Sequence, residues 1–93
     1  MAKVYVERDH QLDNGQLREL GDQLAAKLTD KLGGSVNWQG NELHYQQSGA
    51  KAHALLGEKT VVVTVELGLM MSAFAPMVKS EVERVLDKYL GDS

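Results

Sequence analysis

The chain has 93 residues, enough for one hydrophobic core and too few for a second, so we read residues 1–93 as a single domain. Its 13 acidic and 10 basic side chains leave a net charge of −3 and no basic stripe to neutralise a run of phosphates, which argues against a nucleic-acid partner. The absence of cysteine removes disulfides, thiolate metal ligands and a thiol nucleophile together.

The opening residues reach charge at Lys3, Glu7 and Arg8, too early for the apolar core of a signal peptide. Val4 and Val6 alternate with polar neighbours, which predicts a first strand over Lys3 to Arg8. Asp13-Asn14-Gly15 follows, a turn whose side chains can cap a helix. Leu17, Leu20, Leu24, Leu28 and Leu32, joined by Ala25, then recur at helical spacing. Arg18, Glu19, Asp22, Lys27 and Lys31 fall elsewhere on the wheel. This amphipathic helix stops at Gly33-Gly34, where glycine follows the helix and does not open a phosphate loop.

Three tight turns punctuate the middle of the chain: Gly40-Asn41, Ser48-Gly49 and Gly57-Glu58. Each fixes a pairing register. The first sets Trp38 opposite Leu43 and Val36 opposite Tyr45. The second sets Tyr45 opposite Ala52 and Leu43 opposite Ala54. The third is expected to set Ala54 opposite Val61, Ala52 opposite Val63 and Ala50 opposite Val65. One face then gathers Val36, Trp38, Leu43, Tyr45, Ala52, Ala54, Val61, Val63 and Val65, which predicts a four-stranded antiparallel meander.

The most apolar stretch, Thr60 to Met77, contains Glu66 and changes period twice, so we expect no membrane span and a cytoplasmic protein. After Gly68, the residues Phe74, Val78, Val82, Val85, Leu86 and Tyr89 form the apolar side of a second helix. Ser72 is placed to cap it, and Pro76 falls in its first turn. Lys79 with Glu83 and Glu81 with Arg84 are expected surface pairs. The order is β-α-β-β-β-β-α. Strand 5 runs antiparallel to strand 1 and can pair with it, which gives an α+β fold with a five-stranded, mainly antiparallel sheet and two helices on one face.

No catalytic constellation emerges. His44 and His53 face each other across the second hairpin on the side away from the core, with Gln46, Lys51 and Val62 as expected neighbours. Zinc requires a third or fourth ligand and Lys51 repels a cation, so we expect neither a metal nor a cofactor. His10 follows Glu7 and Asp9 but has no serine nucleophile assigned beside it. Glu7 and Glu66 are expected to face one another across strands 1 and 5, and paired carboxylates are common on exposed sheets. We therefore expect no enzyme.

Two features carry more information. Ala50, Ala52 and Ala54 form a row of small residues on the inward face. They permit close approach of a helix, or else floor a pocket under helix 2 walled by Trp38, Tyr45 and Phe74 that takes a small apolar ligand. Leu67-Gly68-Leu69-Met70-Met71, leading into Phe74 and Met77, holds more large apolar side chains than one buried face absorbs. Leu69, Met70, Met71 and Phe74 are the candidate interaction surface. The edge of strand 2 offers a route to a homodimer by strand addition.

The order and spacing of several short motifs resemble a known family. These are Val4-Tyr5-Val6-Glu7-Arg8-Asp9-His10-x-Leu12, Trp38-x-Gly40-x-x-Leu43-x-Tyr45-x-x-Ser48-Gly49, Val63-x-Val65-x-Leu67-Gly68, and Phe74 followed by Val78-x-x-Glu81-Val82-x-x-x-Leu86-Asp87. Together they resemble the small bacterial polyhydroxyalkanoic acid system proteins, also called the polyhydroxyalkanoate granule region family. The chain departs from that pattern at Ala50-Lys51-Ala52, where a second glycine often follows Ser-Gly. The resemblance implies a gene among those of polyhydroxyalkanoate synthesis and storage, with granule proteins or the polymer surface as partners, and no established activity. The arrangement is also similar to a reduced helix-grip fold, the class of lipid-binding START domains, a likeness that concerns fold and not function. The expected role is a non-enzymatic accessory protein of polyhydroxyalkanoate storage or granules, acting through a protein or granule-surface contact, with an apolar-ligand carrier as the alternative.

Overall fold

The computed structural model describes residues 2–90. The elements are β1 (Ala2–Asp9), α1 (Asn14–Leu32), β2 (Ser35–Gln39), β3 (Glu42–Gln47), β4 (Ala50–Leu56), β5 (Thr60–Leu67), a 3-10 helix (Leu69–Phe74) and α2 (Ala75–Leu90). The strands form one five-stranded sheet in the order β1-β5-β4-β3-β2, antiparallel throughout, so the α+β fold expected from the sequence holds.

Helix α1 begins at a capping box. The Asp13 carboxylate accepts the Gln16 amide hydrogen at 2.8 Å, and the Gln16 side-chain oxygen accepts that of Asp13 at 3.1 Å, which satisfies two donors that have no partner within the helix. At the far end Gly33 adopts φ 73°, and its amide donates to the Thr29 carbonyl. Leu17, Leu20, Leu24 and Leu28 are buried along one stripe.

The first two hairpins pair in the expected register, Trp38 with Leu43 and Tyr45 with Ala52. The third does not. Gly57 donates its amide to the Thr60 carbonyl at 2.9 Å, so the turn is centred on Glu58-Lys59. Ala54 consequently faces Val63, Ala52 faces Val65 and Ala50 faces Leu67. Gly57 is needed here for close approach: a Cβ built on it would lie 2.9 Å from the Thr60 carbonyl oxygen. Moving the turn by one residue shifts the register by two, and a two-residue shift keeps every side chain on its own face. The inward set therefore survives, and Val61, Val63 and Val65 are all buried.

His10 holds this turn from the side. Its amide donates to the Lys59 carbonyl at 2.9 Å, its Nε2 lies 2.7 Å from the Gly57 carbonyl oxygen, and its Nδ1 accepts the Leu12 amide at 2.9 Å. Both ring nitrogens are thus occupied by backbone, and the imidazole is buried.

Both helices cover the same face. Helix α1 lies over β2, β3 and β4, α2 lies over β1, and the two pack side by side. Ala52 and Ala54 therefore sit beneath Leu24 and Leu28 of α1, not beneath α2 as the sequence led us to expect. Helix α2 buries Val78, Val82, Val85 and Leu86, but Phe74 lies before it, at the end of the 3-10 helix. Ser72 donates its hydroxyl to the Leu69 carbonyl and does not cap α2, because it lies inside the 3-10 helix that runs straight into α2. Glu81 meets Arg84 at 3.9 Å as expected, whereas Glu83 meets Arg8 of β1 at 3.5 Å and not Lys79.

One buried glycine sets how closely α1 approaches the sheet. A Cβ on Gly21 would stand 2.3 Å from Trp38 Cη2 and 2.9 Å from Leu56 Cδ1. The indole is held there by the Arg18 guanidinium, 3.9 Å above its centroid, and by a 3.3 Å hydrogen bond from Nε1 to Asp22. Gly21→Val is expected to displace Trp38, the only tryptophan, and to destabilise the fold by about 1–3 kcal/mol through overpacking. Urea titration with tryptophan fluorescence checks this; an unchanged midpoint and emission maximum would show that α1 does not bear on Trp38.

Candidate functional site

Strand β5 ends at Leu67, the last inward-facing residue of the strand and 1% exposed. From there the chain must leave the sheet and climb into the helix layer. Gly68 turns it, with its amide tied to the Gly49 carbonyl at 2.9 Å, and the Met71 amide donates back to the Gly68 carbonyl at 3.0 Å. The 3-10 helix that follows makes the climb at the margin of the core and buries none of its own residues.

Its apolar side chains divide into two groups. Met71 is half-buried and packs on the core, close enough that a Cβ on Gly49 would lie 2.8 Å from its Cγ. Leu69 and Met70 face outward at 79% and 90% exposure, and Phe74 stands 43% exposed behind them. The segment Leu69-Met70-Met71-Ser72-Ala73-Phe74 carries no charge, so no ionised group must be desolvated to cover it. Beside it runs an open groove of about 540 Å³, lined among others by Gln47, Gly49, Ala50, Leu67 and Gly68. Of the predicted interaction surface, Leu69, Met70 and Phe74 are free to meet another body, while Met71 anchors the corner.

Of the predicted pocket residues, Tyr45, Ala52 and Ala54 line one small void under α1, whereas Trp38 and Phe74 lie outside it. Tyr45 is buried, and its hydroxyl donates to the Gly33 carbonyl; burial pushes that hydroxyl above its usual pKa. Trp38 is half-buried against α1, and Phe74 is exposed at the strand-helix corner. The void over Ala52 and Ala54 is about 10 Å³, room for one water, because Leu24 and Leu28 fill the space above the small residues.

The outer face of the sheet differs from expectation in two ways. Glu66 pairs with Lys3 and Lys51, and Glu7 pairs with Val62, so the two carboxylates do not face each other. His53 stands between His44 and Thr64, not Val62, because of the two-residue register shift. Glu42, which the sequence reading passed over, joins the histidines. Its Oε1 lies 3.3 Å from His44 Nε2 and 3.2 Å from His53 Nε2. The hydrogen bond from His53 above all, and that from His44, hold the Glu42 carboxyl below its ordinary pKa despite partial desolvation. The signal was in the sequence: Glu42-x-His44 places both side chains on one strand face, across the hairpin from His53.

With the geometry in place, comparison with known families gives a match. The family model described as "Putative polyhydroxyalkanoic acid system protein" matches residues 4–90, and the chain therefore belongs to that family. A search of curated proteins finds no match. Among the described residues, no helix is long and apolar enough to cross a membrane.

If Leu69 and Met70 contribute nothing to the core, replacing them should be nearly free. The variants Leu69→Ser and Met70→Ser are expected to shift stability by less than about 0.5 kcal/mol, whereas Leu67→Ala should lose about 2–5 kcal/mol. Thermal melts of the three variants check this; a large loss on changing Met70 would place it in the core.

Proposed function

We propose, taking family membership as the premise, that the chain is a non-enzymatic accessory protein of polyhydroxyalkanoate storage that settles on the polymer surface through Leu69, Met70 and Phe74. The observation that carries this reading is the pairing of a 90% exposed methionine with a 79% exposed leucine on a short helix whose backbone is pinned to the sheet. The backbone of this corner is already tied to the sheet, so docking has chiefly side chains to order. Flexible methionine suits a surface without fixed shape, because it adapts to irregular apolar contacts.

The magnitude points to reversible contact. Burying what remains exposed of these three side chains yields at most roughly 4 kcal/mol, since Phe74 is already more than half covered. Lost translational and rotational freedom costs at least about 4 kcal/mol. One corner therefore holds a single molecule loosely, and retention depends on a high local density of polymer. The ligand-carrier reading has less support, since the space over Ala52 and Ala54 admits about one water and no acyl chain.

The test is co-sedimentation of purified protein with protein-free polyhydroxyalkanoate particles and, separately, with native granules. A Leu69→Asp, Met70→Asp double variant is expected to keep its far-UV spectrum and melting temperature and to lose sedimentation with both. Met71 is left unchanged because it packs on the core. Unimpaired sedimentation of the folded double variant would refute the proposal. Binding to native granules alone would move the contact to a granule protein.

A further inference from the structure

We propose that Glu42, His44 and His53 form a binding site for a divalent first-row transition ion, zinc being the natural probe, on the open face of the sheet. The site lies on the opposite side of the sheet from the helices and stands independently of the polymer contact.

The argument starts from ligand chemistry. Two imidazoles and one carboxylate suit zinc, copper, nickel and iron, and suit magnesium and calcium poorly, since those ions want all-oxygen shells. A zinc-ligand bond of about 2.1 Å at a tetrahedral angle sets neighbouring donor atoms about 3.4 Å apart. The two donor separations to Glu42 Oε1 are 3.3 and 3.2 Å, which matches two edges of such a polyhedron. One donor atom from each of the three residues lies within 4.8 Å of the other two. When an ion binds, the remaining edge, between the two histidine nitrogens, must take the same length.

The backbone supplies the preorganisation. His44 and His53 are direct cross-strand partners, with ring centroids 4.7 Å apart. Glu42 sits two residues before His44 on the same face, and its strand partner, Leu55, lies two residues beyond His53, so the carboxylate reaches both rings. Each imidazole presents Nε2 to one carboxylate oxygen, so the three donor atoms already converge. The side chains are 39–41% exposed, which leaves the ion a path in and coordination positions for water or an oxygen of another molecule.

The one unfavourable neighbour is Lys51, two residues before His53 on the same face. It lies on the far side of the histidine row from Glu42, and its partner in β5 is Glu66, whose charge offsets its own. The histidines also line an open hollow of about 390 Å³ on this face, shared with Gln46, Lys51, Thr64 and Glu66, so access from solvent is unobstructed.

Calorimetric titration of tag-free protein with zinc chloride tests the site. One ion per chain is expected, with no comparable binding of magnesium. His53→Gln and His44→Gln should each weaken zinc binding by about 100-fold or more and Glu42→Gln by about 10-fold or more, while the melting temperature in chelator stays that of the parent. On the unaltered protein, NMR supplies a readout that no variant can confound: zinc should shift the imidazole signals of His44 and His53 and leave the buried His10 signals in place. Absence of saturable binding, binding that persists in a folded His44→Gln, His53→Gln variant, or shifts at His10 alone would each overturn the proposal.

Discussion

Every other feature of this molecule depends on the sheet having one apolar face, and on that face being closed by two helices of unequal reach. Strands β3, β4 and β5 send Leu43, Tyr45, Ala50, Ala52, Ala54, Leu56, Val61, Val63, Val65 and Leu67 to one side, and all are buried. Since β-strand side chains alternate, this commits the intervening residues to the other side, which no element of the described chain covers. Helix α1 comes close because Gly21 admits Trp38 and Leu56, and because Ala52 and Ala54 leave room beneath Leu24 and Leu28. Close approach fills the interior, and a filled interior is why there is almost no cavity over Ala52 and Ala54.

The same closure produces the exposed corner. Strand β5 is an interior strand, flanked by β1 and β4, and the chain must pass from its end into the layer above to begin α2. That path runs outside the footprint shared by sheet and helices. A polar turn would complete it at no cost in solubility, yet the sequence spends Leu69, Met70 and Phe74 there. Exposed apolar side chains placed singly are ordinary; adjacent ones on a rigid, uncharged turn are the arrangement expected of a contact surface.

Much of this was legible in the residues. The leucine stripe of α1, its capping turn and its glycine stop are local signals, and local signals translate directly into helix ends. The strand faces followed from alternation alone, which is why they survived the misplaced third turn: Gly57 looked like a residue chosen for positive φ, but it was chosen to admit the Thr60 carbonyl. What the sequence hid were matters of tertiary approach. Nothing in the spacing of the alanines says which helix covers them. The role of His10 depends on Gly57, 47 positions away. Phe74 fits the wheel of α2 by count but sits on a 3-10 turn, where the rotation per residue differs and carries it outward. Glu42 escaped notice because cross-strand diagonals are not neighbours in sequence, even though its place on the histidine face was fixed by the first two turns.

The account stands most directly on Met70 being the point at which the protein meets the polymer, and limited peroxide oxidation followed by peptide mass spectrometry measures that. Met70 should oxidise faster than Met71 and Met77 in the free protein, since it is the most exposed of the three. Adding polyhydroxyalkanoate particles should slow its oxidation while leaving that of Met77 unchanged. Equal oxidation of Met70 with and without particles, under conditions where the protein sediments with them, would contradict the account.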